Sequence, residues 1–307
     1  MTNDERRMTG LIFDIKPYSI NDGPGIRITL FLKGCPLNCV WCHNPESISP
    51  HVQKMYSKKK CIGCEACVEE CPENALTLTS DGIVTDTDLC TLCGRCADVC
   101  PTLAIEMSGK QVSVEDMMKL IRKETLTLDQ SNGGVTISGG EPMMQSDFLI
   151  ELLDAIGEEG IHRAVDTTGF IKTETLLEVA KRTELFLYDL KSMDPDVHKK
   201  YTGVSNEKIL ENLRILAESG AKINIRIPLI KGVNVDEENI RKTAEFVAGL
   251  PGEITVNLLP YHDIASAKHL RLGQEYEQAE LKEPLEEDVK RVIRQFESVG
   301  VVASVGG

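Results

Sequence analysis

No stretch of the chain approaches the roughly 18 consecutive apolar residues of a membrane-crossing helix, so no membrane association is expected. The first ten residues, MTNDERRMTG, are polar and no apolar segment follows them, which removes the usual mark of secretion and makes the cytoplasm the expected compartment. Basic residues are in deficit: 34 Lys and Arg stand against 48 Asp and Glu, for a net charge of -14. A nucleic-acid partner calls for a basic face and is excluded on that ground. No Ser-His-Asp or Cys-His set stands out, so no activated nucleophile or general base is expected. Cysteine is absent before Cys35 and after Cys100.

What remains is informative because it is concentrated. All eleven cysteines of the 307 residues fall between Cys35 and Cys100. Disulfide frameworks belong to short secreted chains, and this chain is neither short nor marked for secretion, so clustered cysteines at short spacings read as metal ligands. They divide into a set of three and two sets of four. Residues 50–107 have the composition of a small insert, and residues 15–49 with 108–307 that of one large α/β core.

The core shows six strand-then-helix units. Strands are expected over residues 26–33, 135–138, 161–166, 185–190, 222–229 and 254–259. Helices are expected over 114–126, 147–156, 174–182, 206–219, 237–248 and 285–298. Such alternation implies parallel strands with crossover helices, in either a doubly wound sheet or an incomplete barrel. The placement of the unusual residues favours the barrel, whose chemistry gathers where strands end. The strands lead to Cys35, to Gly139-Gly140-Glu141-Pro142, to Asp166-Thr167-Thr168-Gly169, to Asp189-Leu190-Lys191 and to Pro260-Tyr261-His262, while Arg226 lies within the fifth. The expected fold class is α/β, a partial (β/α)6 TIM-like barrel with an inserted α+β domain.

Cys35, Cys39 and Cys42 have the spacing Cx3Cx2C. Three thiolates in one tight loop hold three irons of a [4Fe–4S] cube and leave the fourth open to a substrate. The insert repeats one pattern twice: Cys61, Cys64, Cys67, Cys71-Pro72, then Cys90, Cys93, Cys96, Cys100-Pro101, each Cx2Cx2Cx3CP. This is the bacterial ferredoxin run, in which the fourth cysteine ligates the other cluster. One cube is expected on Cys61, Cys64, Cys67 and Cys100, and the other on Cys71, Cys90, Cys93 and Cys96. Both are closed, so electron transfer is their expected task.

The Cx3Cx2C loop after the first strand resembles the signature of the radical S-adenosylmethionine (SAM) superfamily. The stretches Asp22-Gly23-Pro24-Gly25-Ile26-Arg27 and Trp41-Cys42-His43-Asn44-Pro45-Glu46 resemble, more narrowly, the activating enzymes of glycyl radical enzymes. That resemblance covers essentially the whole chain, and the insert matches the larger members of the family. It implies SAM cleavage to methionine and a 5′-deoxyadenosyl radical, which takes a hydrogen from a glycine of the partner. It implies a flavodoxin- or ferredoxin-type electron donor. Partners of this kind act on compounds such as isethionate, choline, glycerol, 4-hydroxyphenylacetate or aryl succinates. It further implies that Gly139, Gly140 and Glu141 bind SAM, that Trp41 flanks its adenine and that His43 lies beside the cluster loop. Asp166, Thr167, Asp189 and Leu190 would serve SAM and a monovalent cation, Lys191 would pair with the SAM carboxylate, and His262 and the basic Arg226 would complete the site. The rivals are another radical SAM enzyme modifying a peptide or small molecule, and an electron-transfer ferredoxin fused to an inert barrel.

Overall fold

The structure is a computed structural model that describes residues 8–263, 265–274 and 281–306. In chain order the strands are β1 (Thr9–Ser19), β2 (Arg27–Leu32), β3 (Gln53–Tyr56), β4 (Leu76–Thr79), β5 (Gly82–Thr85), β6 (Ile105–Ser108), β7 (Lys110–Ser113), β8 (Gly134–Gly139), β9 (His162–Thr167), β10 (Leu185–Asp189), β11 (Ile223–Leu229), β12 (Ile254–Pro260) and β13 (Ala303–Val305). The helices are α1 (Ala66–Glu69), α2 (Arg95–Asp98), α3 (Val114–Ser131), α4 (Ser146–Glu158), α5 (Thr173–Ala180), α6 (Pro195–Thr202), α7 (Glu207–Glu218), α8 (Glu237–Ala248), α9 (Ser266–Arg271) and α10 (Glu286–Ser298).

Nine strands form one sheet in the order β13-β12-β11-β10-β9-β8-β2-β1-β7. From β2 to β13 every pairing is parallel, and only β1 runs antiparallel to its neighbours β2 and β7. The six expected strands follow one another without a reversal of direction, so the sheet is wound once and the doubly wound alternative falls. β1, β7 and β13 were not among the expected strands. β7 and β13 are only four and three residues long, too short for a periodic signal. β1 starts at Thr9, six residues ahead of the expected core boundary at 15.

Burial explains the elements. β2 (RITLFL) and β8 (GVTISG) are buried almost throughout, the pattern of parallel strands covered on both faces. β11 alternates instead: Ile223, Ile225, Ile227 and Leu229 are buried among the helices, while Asn224, Arg226 and Pro228 are less buried. This alternation puts Arg226 and Pro228 on the sheet face turned away from that core. α3 starts at a capping box, Ser113 accepting from the Asp116 N–H and the Asp116 carboxylate accepting from the Ser113 N–H. The helices join the sheet in one large core that includes Leu149, Leu152, Leu153, Leu213, Leu216 and Phe296.

The insert has a separate small core of Cys67, Leu76, Ile83, Cys96 and Ile105. β3 and β6 form an antiparallel ribbon, and β4 and β5 a hairpin. Among the described residues no helix is long and apolar enough to cross a membrane.

Candidate functional site

Three backbone hydrogen bonds hold the loop that follows β2. The Cys35 N–H donates to Ile48 O at 3.0 Å, Asn38 N–H to Thr202 O at 2.8 Å and Val40 N–H to Tyr201 O at 3.0 Å. Thr202 and Tyr201 end α6, a helix missing from the expected scheme, so an unexpected element carries the cysteine loop. Cys35, Cys39 and Cys42 all line one cavity of about 420 Å3 at the C-terminal ends of the strands. Burial pushes the three thiols up, Cys39 to about 12 and Cys42 to about 11; the nearby Lys191 ammonium pulls both of these back in part. Buried thiols so placed are poor bare anions and suit a cationic metal centre.

The two glycines after β8 also reach this cavity. A Cβ on Gly139 would sit 2.1 Å from Leu32 O, and one on Gly140 2.3 Å from Gly34 O. Gly139 also has φ +132°. The glycines therefore let β8 close on the backbone that leads into the cysteine loop. Gly140 N–H donates to Leu32 O at 2.9 Å and Glu141 N–H to Gly34 O at 2.7 Å. Their close approach is to this chain's own backbone as well as to the cavity.

Glu141 is fully buried and does not line the cavity. Its carboxylate accepts from the Thr168 N–H at 2.8 Å, the Thr168 hydroxyl at 2.7 Å and the Thr167 hydroxyl at 2.9 Å. Burial raises its pKa and these donors oppose the rise. The side chain thus bolts the end of β8 to the end of β9.

Between β9, β10 and β11 lies a buried charge network. The Arg226 guanidinium donates to Asp166 at 2.7 Å and to Asp189 at 3.3 Å, and its third carboxylate, Asp22, is 3.9 Å away. Lys191 Nζ donates to Asp189 at 2.7 Å, and the Ser138 hydroxyl to Asp166 at 2.6 Å. Burial lifts Asp166 to about 6 against the pull of Arg226. For Asp189 the burial penalty is overcome by Lys191 and Arg226, and its pKa falls. Burial disfavours the Lys191 and Arg226 cations too, but their carboxylates outweigh it and raise both.

Asp166 and Asp189 are bridged by Arg226, and the Thr167 hydroxyl is turned to Glu141.

Trp41 is buried against Ile230, Val233 and Tyr261 and, with His43, lines the cavity. Two other expected residues stand away from it. Leu190 is buried but off the cavity wall, where its N–H donates to Arg226 O at 2.9 Å. The His262 side chain is 58% exposed beside Glu283, while its neighbour Tyr261 takes the wall position. Sequence reasoning left Asp22, Ser138, Thr168 and Tyr261 out of the site, although all four line it. Asp22 and Ser138 stand inside the stretches DGPGIR and SGGEP, and that adjacency was the available signal.

The insert presents two smaller cavities. One is lined by Cys61, Cys64, Cys67 and Cys100, the other by Cys71, Cys90, Cys93 and Cys96. The two halves repeat each other at a constant offset. Ala75 N–H donates to Cys71 Sγ at 3.3 Å and Ala104 N–H to Cys100 Sγ at 3.2 Å. Left-handed backbone recurs at Glu65 and Gly94 and at Asn74 and Leu103.

Residues 29–246 match the family model of the radical SAM superfamily. The chain is 46% identical over 303 residues to the trans-4-hydroxy-L-proline dehydratase activating enzyme of Clostridioides difficile, covering 98% of this chain and 100% of the relative. It is 40% identical to the (2S)-3-sulfopropanediol dehydratase activating enzyme of Klebsiella oxytoca, covering 97% of each. A crystal structure of a domain of the pyruvate-formate lyase-activating enzyme from Bacteroides vulgatus ATCC 8482 superposes with TM-score 0.50 at 45% identity, over 57% of this chain and 99% of that one. With three cysteines of one loop and a Gly-Gly turn at the same cavity, the chain belongs to the radical SAM superfamily and, within it, to the activating enzymes of glycyl radical enzymes.

Proposed function

We propose that the chain installs a glycyl radical on a partner enzyme, with SAM as cosubstrate and three [4Fe–4S] clusters. The observation that carries this reading is the convergence of Cys35, Cys39 and Cys42 with Gly139, Gly140, Lys191 and Arg226 on one cavity. The catalytic set is Cys35, Cys39, Cys42, Lys191 and Arg226, and the sheet that presents it is a partial (β/α)6 barrel. Cys35, Cys39 and Cys42 would hold a [4Fe–4S] cluster, which when bound would supply the electron for cleaving a carbon–sulfur bond of SAM. The protein's own part is to bind and orient. Lys191 stays protonated beside the cysteines and offers a cation to the SAM carboxylate. Asp166 and Asp189 hold Arg226 and Lys191 in place, and Trp41 and His43 form an aromatic wall for the adenine.

Residues 50–107 form a ferredoxin-like unit with two closed cubes, on the cysteine quartets that line its two cavities. Asp166, Thr167 and Asp189 would also serve a monovalent cation beside SAM. The 46% relative makes a trans-4-hydroxy-L-proline dehydratase the first partner to test.

The test is direct. The anaerobically reconstituted protein, mixed with SAM, a low-potential reductant and that dehydratase, is expected to yield 5′-deoxyadenosine and a glycyl doublet in the electron paramagnetic resonance (EPR) spectrum. Deoxyadenosine without a protein radical on any glycyl radical enzyme would move the reading to a peptide or small-molecule modifier. Absence of both would overturn it.

A further inference from the structure

The two cysteine quartets of the insert are not equally placed with respect to the barrel. The β3–β6 ribbon leaves the barrel at Gln53 and Ser108, which face each other in register. Lys33, at the end of β2 and two residues before Cys35, is buried at this junction. Its Nζ donates to Glu46 O at 2.5 Å, Gln53 Oε1 at 3.1 Å and Ser108 Oγ at 3.4 Å. The strand that ends in the cysteine loop is therefore pinned to the root of the ribbon.

The next pair outward, Lys54 with Met107, lines the cavity of Cys71, Cys90, Cys93 and Cys96. Two residues further, Tyr56 with Ile105 lines the cavity of Cys61, Cys64, Cys67 and Cys100. Residues two apart share a strand face and stand about 7 Å apart along it. The ribbon thus works as a ruler, with one quartet at its root and the other further out. One contact runs the other way: Glu106, on the opposite ribbon face, meets both Lys60, next to Cys61, and Arg271 of α9. It ties down the segment before Cys61 without altering the order along the ribbon.

We propose that the quartet Cys71, Cys90, Cys93 and Cys96 is the barrel-side station of a relay and that Cys61, Cys64, Cys67 and Cys100 form the outer, entry station. This rests on the reading of the insert as a two-cluster unit. One electron from a low-potential one-electron donor protein enters at the outer quartet and passes to the inner one. It then reaches the SAM site, where it is consumed in breaking the carbon–sulfur bond. No bond forms or breaks on the way, and no proton moves.

The experiment uses the full, anaerobically reconstituted chain, reduced chemically, and reads magnetism rather than turnover. The SAM-site signal is identified by its shift when SAM is added, and its spin relaxation is measured by pulsed EPR. In Cys93→Ala that relaxation is expected to slow several-fold, because the nearest paramagnetic neighbour is gone. In Cys64→Ala it stays as in the parent. The reverse order, or equal slowing in both, overturns the proposal. Iron content separates the two levels: about twelve atoms in the parent support two insert cubes, whereas about four would overturn the two-cluster reading itself. If an alanine variant loses both insert cubes, Cys93→Ser and Cys64→Ser, which keep an oxygen ligand, replace it. The cube whose spectrum changes in step with the SAM-site relaxation then names the inner station.

Discussion

The mouth of the sheet, the large cavity at its strand ends, and the insert place the same side chain in different surroundings. At the mouth, three cysteines share a cavity of about 420 Å3 with three basic residues, Lys16, Lys191 and Arg226, and three carboxylates. In the insert, four cysteines line each cavity beside apolar neighbours such as Leu76 and Met107, or Ile83 and Ile105. Either insert cavity is smaller by more than an order of magnitude. Three ligands with room and charge suit a metal that a substrate joins, and four ligands without room suit the electron transfer proposed for the insert. The ligand count is written in the sequence, but the room and the charge come from elsewhere in the chain.

The largest effect should come from taking one ligand from each region. Cys35→Ala is expected to abolish deoxyadenosine formation under a strong small reductant, while Cys64→Ala and Cys93→Ala retain it. Chromatographic yield of deoxyadenosine measures this, and equal loss in all three would erase the contrast between the regions.

The charge at the mouth gives the next effect. Arg226→Ala leaves Asp166 and Asp189 facing each other without a guanidinium, and breaking such a buried pair costs about 3–5 kcal/mol. The denaturant midpoint should fall accordingly, and Arg226→Lys should recover only part, since one ammonium cannot replace the planar fork. An unchanged midpoint would mean the network is solvated and does not set the mouth apart.

Glu141→Gln tests a positioning residue of the mouth. Three donors lose a charged acceptor, for about 1–3 kcal/mol of stability. SAM affinity should weaken while iron content stays at the parent value, because no thiolate is touched. Loss of iron instead would place Glu141 with the ligands. The smallest effect is expected from His262→Ala. An exposed substitution keeps stability within about 0.5 kcal/mol, and because the side chain stands off the cavity wall, SAM affinity measured by titration should barely change. A larger change would return His262 to the site.

Much of the architecture was legible. Each of the six expected strands matches one in the sheet, because both a dense apolar run, as in β2 and β8, and a regular alternation, as in β11, are patterns that periodicity detects. The short strands β7 and β13 were not, since three or four residues hold no period. α6 was also missed, although Asp194 caps it and Pro195 starts it. Its body, PDVHKKYT, is polar enough to read as loop, yet its last turn supports the cysteine loop. Glu141 and His262 carried motif signals, and neither side chain faces the cavity. A motif names a residue without saying which way its side chain turns.

By itself the sequence determined how the cysteines group, three and four and four, and that five strand ends and the interior of a sixth strand carry the unusual residues. Spacing decides this, because a loop of two or three residues between thiols leaves little freedom in what they can jointly hold. Only the tertiary structure decided which groups share a cavity and which support it from behind. Asp22, Asp166, Asp189 and Arg226 come from four separate segments, and their pairing depends on strand register. The register opposes Asp189 to Arg226, and the sheet packing holds them together, partly buried, at the cavity wall.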